Sequence, residues 1–195
     1  MMDRIKNKLE RVYIHDHAIV ETDCIGEGTR IWAFAHILKG SQIGKNCNIC
    51  DHTFIEGNVV IGNNVTIKSG AYLWDGLRIE DNVFIGPNAT FTNDIRPRSK
   101  VYPAEFINTH IRKGASIGAN ATVLGGITLG QWAMVGAGSV VTKDVSDYVL
   151  VYGVPAKLQG HICECCQNIV LKNSLAECVC GKAYQLKKSG LVRIK

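Results

Sequence analysis

The stretch IGEGTRIWAFAHILKGSQIGKNCNICDHTFIEGNVVI, residues 25–61, places an isoleucine at every sixth position without a miss. A helix repeats about every 3.6 residues and a strand alternates every two, so neither produces this period. A hexapeptide repeat does produce it, and that repeat is the sequence signature of a parallel β-helix. The sequence therefore predicts an all-β chain of short strands separated by turns.

The same period extends well beyond this stretch. Apolar anchors recur at every sixth residue from Ile19 to Phe91, and again, in a new phase, from Ile111 to Val141. Three sides of six residues close a coil of about eighteen, and successive coils stack as parallel strands. Residues eighteen apart should then lie above one another, and the anchors should fill the inside of a triangular prism. We expect this register to place Asn93 on Asp75 and His52 on Phe34.

The two phases are separated by the segment DIRPRSKVYPAEFINTH, residues 94–110. An insertion in a solenoid forms a loop on one face, which is frequently the binding face. Arg96, Arg98 and Lys100 fall within a single five-residue segment of this loop. Such cationic side chains suit a phosphate-bearing substrate. Their pattern therefore indicates an anionic ligand.

Several longer motifs resemble a known family over about residues 13–160. They are RIWAFAHI (30–37), ICDHTFIE (49–56), WDG (74–76), EDNVFIGPNATFTND (80–94), PRSK (97–100) and GVPAK (153–157). These motifs resemble the hexapeptide-repeat acyltransferases. Within that group they are similar to the N-acetyltransferases acting on the 3-amino group of nucleotide-linked sugars, either TDP-3-amino-3,6-dideoxyhexoses or UDP-3-amino glucuronates. The resemblance implies a left-handed β-helix and a role in surface polysaccharide biosynthesis.

The resemblance also implies an assembly and ligand sites. It implies a homotrimer with active sites between neighbouring prisms, and acetyl-CoA bound along the later coils. The residues expected to bind the cofactor are Gly118, Ala119, Gly136, Ala137, Lys143, Pro155 and Lys157. Those expected to bind the amino sugar are Asn93, Asp94, Arg96, Arg98, Trp74 and Tyr72.

Amide formation needs a deprotonated amine, a positioned thioester and stabilisation of the oxyanion. Many hexapeptide acyltransferases use a histidine as the base, for which His52 is the candidate, while His36 is more simply a structural residue. The 3-amino-sugar group instead implies direct attack by the amine, with the CoA sulfur receiving the proton. The predicted catalytic residues are therefore Asn93 and Asp75, which would orient the amine, and His52.

Other readings of the prism remain open. A γ-class carbonic anhydrase is disfavoured, because it needs two zinc-binding histidines five residues apart and the six histidines here contain no such pair. An acyltransferase with another acceptor, of the serine, maltose or xenobiotic type, would keep the same cofactor. A non-catalytic prism that scaffolds a partner is the more distant alternative.

The chain divides into three parts by composition. We expect residues 1–12 to form a helical segment that leads into the prism, residues 13–160 to form the β-helix, and residues 161–195 to form a small zinc-ribbon-like unit. Five of the eight cysteines lie between Cys163 and Cys180, and cytosolic cysteines in close pairs indicate a metal rather than disulfides. We expect structural zinc bound by Cys163, Cys166, Cys178 and Cys180, with Cys165 as the alternative to Cys166.

Composition also argues against two partner classes. No apolar run approaches the ~18 residues of a membrane span, and the opening MMDRIKNKLERV has no apolar core of a signal peptide, so we expect a cytoplasmic protein. The net charge of +5 comes without a nucleic-acid-binding motif. We therefore expect neither nucleic-acid binding nor membrane insertion.

Overall fold

The computed structural model describes residues 11–195, and every regular element in that range is a β-strand. Most of the predicted N-terminal helix falls on residues 1–10, outside the described residues. In chain order the strands are β1 (Tyr13–Ile14), β2 (Ile19–Val20), β3 (Arg30–Ile31), β4 (His36–Ile37), β5 (Gln42–Ile43), β6 (Asn48–Ile49), β7 (Phe54–Ile55), β8 (Val60–Ile61), β9 (Thr66–Ile67), β10 (Tyr72–Leu73), β11 (Leu77–Ile79), β12 (Phe84–Ile85), β13 (Thr90–Phe91), β14 (Thr109–Ile111), β15 (Ser116–Ile117), β16 (Thr122–Val123), β17 (Thr128–Leu129), β18 (Met134–Val135), β19 (Val140–Val141), β20 (Val149–Tyr152), β21 (Lys157–Ile162), β22 (Asn168–Ile169), β23 (Leu175–Glu177), β24 (Ala183–Lys187) and β25 (Gly190–Arg193).

The strands up to β20 form the three parallel sides of a prism of about eight coils. Sheet 1 has the order β1-β3-β6-β9-β12-β15-β18-β20, sheet 2 the order β19-β16-β13-β10-β7-β4-β2, and sheet 3 the order β17-β14-β11-β8-β5. The chain visits the three sheets in turn, and at Ile25 and Val145 an isolated bridge residue takes the place of a strand in sheet 3. The predicted parallel β-helix is confirmed.

The predicted register of eighteen residues is also confirmed through most of the prism. Ile31 pairs with Ile49, and Ile49 with Ile67. The last coil is one exception, because Met134 pairs with Leu150, sixteen residues later. The first coil is another, because Tyr13 pairs with Arg30, seventeen residues later. This shorter coil shifts the phase by one residue, so the anchor role expected for Ile19 is wrong: Ile19 is 47% exposed and Val20 lies in the core.

The core consists of the anchors and the small residues two positions before them. Ile31, Ile49 and Ile67 are fully buried, and Thr29 and Cys47 are buried in the small-residue positions. The Thr29 hydroxyl donates to the carbonyl of Gly44 at 2.8 Å, so this buried polar group is satisfied. Burial raises the pKa of the Cys47 thiol, as expected for an inert core thiol.

The three corners of the prism differ in sequence, and we number them by the sheets that they join. The first corner joins sheets 1 and 2, the second joins sheets 2 and 3, and the third joins sheets 3 and 1. Asparagine or glycine holds a positive φ at most turns of the first and third corners, because these residue types tolerate the left-handed conformation best. Four ring-bearing residues take this conformation instead: Phe34 and His52 at the first corner, and Trp132 and Tyr148 at the third.

One long loop interrupts the prism at the second corner, between β13 and β14. The strand β14 begins at Thr109, which is buried, so the loop ends two residues before the predicted boundary at residue 110. The backbone N–H of Ile107 donates to the carbonyl of Asn93 at 3.2 Å, and this bond closes the neck of the loop. Residues 94–106 therefore protrude from a single corner.

The C-terminal unit continues sheet 1 and then adds a second sheet. Strand β21 pairs antiparallel with β20, and β22 pairs antiparallel with β21. Strands β23, β24 and β25 form a separate antiparallel sheet. Tyr184 of that sheet is fully buried and packs edge-on against Tyr148, with ring centroids 5.2 Å apart. The unit therefore docks at the third corner, where aromatic residues replace the usual asparagine.

Candidate active site and metal centre

The predicted pair Asn93 and Asp75 meets at the second corner, at the mouth of the loop. The side-chain amide of Asn93 donates to the backbone carbonyl of Asp75 at 3.2 Å. The carboxylate of Asp75 accepts the backbone N–H of Asn58 at 2.7 Å. Both side chains are half-buried. The corner thus holds a carboxylate and an amide in fixed positions beside the loop, as an amine-binding site requires.

A second carboxylate lies at the same corner and was missed by the sequence interpretation. Glu56 accepts the backbone N–H of Asp75 at 2.6 Å. Burial raises the pKa of Glu56, and the nearby Asp75 carboxylate adds to the rise. Since Glu56 precedes Trp74 by eighteen residues, its position at this corner could have been read from the register.

The predicted substrate residues Tyr72 and Trp74 form an aromatic surface on the outside of sheet 2. Their rings are nearly parallel, with centroids 6.0 Å apart, and Phe54 lies 5.6 Å from Trp74. His36 packs edge-on against Phe54 and approaches Glu21 at 3.3 Å. These contacts favour the structural role expected for His36.

The cationic residues of the loop are presented to solvent. Arg96 and Arg98 are exposed, and the backbone N–H of Arg96 donates to the Asp94 carboxylate at 2.8 Å. Asp94 therefore shapes the turn that carries Arg96. The structure links Asp94 to Arg96 in this turn, next to Asn93, while Arg98 lies in a second turn that it closes with Val101.

The small residues expected to bind the cofactor stack at the first corner, as predicted. The backbone N–H of Gly138 donates to the carbonyl of Ala119 at 2.8 Å. A Cβ at Gly118 would lie 2.5 Å from the backbone nitrogen of Ala137, so only glycine allows the coils to approach this closely. The result is an outer edge without large side chains, along which an extended pantetheine arm would fit.

Other predicted cofactor residues lie near the end of the prism that is closest to the C-terminal unit. Lys143 lines an end cavity of about 230 Å³ together with Ala156 and Leu158. The turn between β20 and β21 contains Pro155, and Lys157 begins β21 with an exposed side chain. Lys143 lies at the second corner rather than the first, so the structure groups it with the chain end and not with Gly118 and Ala119.

His52 lies at the first corner, whereas Asn93 and Asp75 lie at the second. Its ring stacks on Phe34, with centroids 5.0 Å apart and planes 17° from parallel. The three predicted catalytic residues are therefore not brought together within one chain.

Four cysteines converge in the C-terminal unit. The sulfur atoms of Cys163, Cys165, Cys178 and Cys180 all lie within 4.8 Å of one another. Four thiolates at about 2.3 Å from a tetrahedral zinc would have sulfur atoms about 3.8 Å apart, so the cluster fits one such ion. Burial opposes ionisation of Cys163, but the backbone N–H of Cys165 and the Tyr184 hydroxyl lower the pKa of this thiol to about 6.

Cys166 is not part of this cluster, and the preference for it over Cys165 is corrected. Each cysteine pair lies in the turn of a hairpin with the same bonding pattern: Cys163 N–H donates to Gln167 carbonyl, and Cys178 N–H to Lys182 carbonyl, both at 2.8 Å. In this pattern Cys166 corresponds to Gly181, and both have a positive φ. Cys166 is therefore an exposed turn residue, and the CxC spacing of 163 and 165 repeats that of 178 and 180.

Comparison with known proteins agrees with this architecture. The family model described as bacterial transferase hexapeptide (six repeats) matches residues 25–57, 58–93 and 108–143. A dTDP-3-amino-3,6-dideoxy-alpha-D-galactopyranose 3-N-acetyltransferase from Aneurinibacillus thermoaerophilus is 58% identical over 176 residues, which cover 90% of this chain and 92% of that protein.

Two solved structures share the fold. The polySia specific acetyltransferase NeuO superposes with a TM-score of 0.53 and 20% identity, covering 75% of this chain and 81% of that one. A hexapeptide-repeat containing acetyltransferase from Vibrio cholerae O1 biovar eltor, complexed with acetyl coenzyme A, gives a TM-score of 0.50 and 22% identity over 82% and 76% of the two chains. The matched repeats, together with the 58% identical relative, show that the chain belongs to the bacterial transferase hexapeptide family.

Proposed function

We propose that this protein transfers the acetyl group of acetyl-CoA to the 3-amino group of a dTDP-linked 3-amino-3,6-dideoxyhexose. The observation that carries the proposal is the 58% identity, over 90% of the chain, to an enzyme named for that reaction. The basic loop beside Asn93 and Asp75 supports it, because a nucleotide sugar brings a diphosphate and an amine to one site. A UDP-linked 3-amino sugar is the alternative acceptor of the acetyl group.

In the reaction, the amine nitrogen forms a bond to the thioester carbonyl carbon and the carbon–sulfur bond breaks. The amine gives up one proton, and the CoA thiolate receives it to leave as the thiol. Asn93 and Asp75 would orient the amine, and backbone N–H groups at the glycine-rich first corner would polarise the carbonyl. The location of His52 at another corner favours direct attack over a histidine base drawn from the same chain.

The site is completed, in this proposal, by a homotrimer. The expected cofactor edge lies at the first corner and the expected amine site at the second, so a cleft between two copies would bring the two together. The acceptor loop of one copy would then face the pantetheine edge of its neighbour. Light scattering in the presence of acetyl-CoA tests this arrangement, and a monomer would contradict it.

The activity is tested by thiol release from acetyl-CoA against a panel of dTDP- and UDP-linked amino sugars. We expect release with a dTDP-3-amino-3,6-dideoxyhexose and a product acetylated at the 3-amino nitrogen. Release with serine or maltose alone would favour another acceptor, and calorimetry showing no binding of acetyl-CoA would favour a scaffold. The described residues contain no helix long and apolar enough to cross a bilayer.

For the cysteine cluster we propose a structural Zn²⁺ bound by Cys163, Cys165, Cys178 and Cys180. Four thiolates favour zinc over hard cations such as Mg²⁺ or Ca²⁺, which prefer oxygen ligands. A four-thiolate site leaves no open coordination position, so the ion would hold the unit together and take no part in acetyl transfer. The Tyr184 hydroxyl lies 3.0 Å from the Cys163 sulfur, where it would donate a hydrogen bond to this thiolate and hold it in place.

A further inference from the structure

A stack of aromatic rings runs along the lower part of the first corner. His17 and Phe34 have centroids 5.6 Å apart and planes within 5° of parallel, and His52 continues the stack above Phe34 at 5.0 Å. Phe34 is 56% exposed and His52 is also exposed. We name these three residues the ring stack. It lies on the same edge as the small residues expected to bind pantetheine, several coils lower.

The backbone at the ring stack is unusual for the residues that occupy it. Phe34 and His52 both hold a φ near +60°, a conformation that bulky residues rarely adopt. The other two ring-bearing residues with a positive φ, Trp132 and Tyr148, pack against the C-terminal unit. The C-terminal unit covers the rings of Trp132 and Tyr148, which explains why they stand at the third corner. The rings of Phe34 and His52 instead face solvent. Strain of this kind persists most often where a site uses it.

His52 is the uppermost ring of the ring stack. The next residue in the column is Gly70, which carries no side chain, so the ring stack ends there. A Cβ at Gly70 would lie 2.1 Å from Asn88 Oδ1, which shows that the amide of Asn88 reaches down over Gly70. The Asn88 amide therefore lies at the level of Gly70, one coil above His52, and it offers one hydrogen-bond acceptor and two donors.

We infer that the planar base of the nucleotide sugar stacks on the ring of His52, with its edge hydrogen-bonded by the amide of Asn88. A pyrimidine such as thymine or uracil presents an N–H beside a carbonyl, and an asparagine amide complements that pair. Stacking of a base on an aromatic side chain strengthens binding, and substitution of that side chain by alanine measures the loss of affinity. This inference rests on the proposed function, because it supplies the base subsite of the same substrate. It gives His52 a binding role in place of a proton-transfer role.

Binding of dTDP alone tests the inference without requiring acetyl transfer. We expect calorimetry to show about 5- to 150-fold weaker binding of dTDP by His52→Ala, the range expected for one lost stacking contact. His52→Phe should retain most of the affinity, since a phenyl ring stacks without titrating. Asn88→Ala should weaken binding, and saturation-transfer NMR should show the thymine protons in contact with the wild-type protein.

Phe84→Ala is the matched control, because Phe84 is an exposed aromatic residue on the outer face of sheet 1. Its dTDP affinity should equal that of the wild type. UDP serves as the second probe. Binding of UDP but not dTDP would show that the base site exists and takes uracil in place of thymine. Unchanged affinity in both His52→Ala and Asn88→Ala, or no binding of either nucleotide by the wild type, would overturn the inference. So would dissociation of the oligomer by His52→Ala, which would make the ring stack a contact between copies. Nucleotide binding without acetyl transfer would leave the inference standing and refute the proposed reaction.

Discussion

The side-chain amide of Asn93 donates a hydrogen bond to the backbone carbonyl of Asp75, 3.2 Å away and eighteen residues earlier in the chain. This bond links two successive coils where the loop leaves the prism. It fixes the Asn93 side chain by one of its two N–H donors and leaves the other donor and the oxygen for a ligand. The prism thus presents a polar group in a defined orientation at its only described long loop.

Asn93→Ala should lower kcat/KM for the nucleotide amino sugar by ~10- to 1000-fold, the loss expected for a positioning contact. The affinity for acetyl-CoA should be unchanged, because the small-residue edge lies at another corner. Steady-state kinetics and calorimetry measure the two effects. Asn168→Ala, at an exposed amide of β22, is the control and should behave as the wild type; equal kinetics in both variants would place the amine site elsewhere.

Arg98→Ala should act mainly through KM for the nucleotide sugar. Its exposed guanidinium lies on the loop, where it would pair with the diphosphate in the ground state and the transition state alike, so kcat should change little. The effect should diminish with added salt, as screening predicts. Arg112→Ala, at an exposed arginine 3.8 Å from Glu80, is the matched control. A fall in kcat at unchanged KM would instead assign Arg98 to the transition state.

The register of the prism could be predicted from the sequence because one physical spacing, the stacking of coils, determines it. Asn93 on Asp75 and Phe34 on His52 follow from that spacing alone. The one-residue shift at Ile19 could not, since a shorter first coil leaves no break in the apolar pattern. Aromatic residues replace asparagine at the third corner, at Trp132 and Tyr148. This replacement could have predicted that the C-terminal unit packs there.

The choice between Cys165 and Cys166 as a zinc ligand could not be predicted from the sequence. Cys163 with Cys166 has the usual spacing of a zinc knuckle, so the sequence favoured that pair. The choice of Cys165 depends on a turn in which Cys166 takes the same left-handed conformation as Gly181. Glu56 was missed for a different reason: its role depends on the hydrogen bond that it accepts from the backbone of Asp75, and no motif marks that bond.

Glu56 should make stability depend on pH in a defined direction. Because burial raises its pKa above the usual 4.5, the folded state holds this proton more tightly than the unfolded state does. The protonated Glu56 side chain therefore contributes fully to the free energy of unfolding below the ordinary pKa. This contribution is lost as the pH rises through the raised pKa of the folded state. Glu56→Gln removes this titration, so the midpoint of thermal unfolding should fall less between pH 4 and pH 7 than in the wild type. Glu105→Gln, at an exposed loop carboxylate, should follow the wild-type curve; parallel curves for Glu56→Gln would refute the assignment.

Zinc content should separate two neighbouring cysteines. Protein purified without chelator should contain about one zinc per chain, and Cys166→Ser should keep it, because Cys166 is an exposed turn residue outside the four-sulfur cluster. Cys165→Ser should lose most of its zinc after dialysis against a weak chelator, since three thiolates bind the ion less tightly than four. Cobalt substitution provides a second readout, because tetrahedral thiolate coordination gives an intense sulfur-to-cobalt absorption that Cys165→Ser should weaken. Removing the metal should expose the chain after residue 160 to proteolysis while the prism survives, because the prism has its own buried core. Equal zinc retention by the two variants, or a wild-type protein with less than half an equivalent, would refute the site.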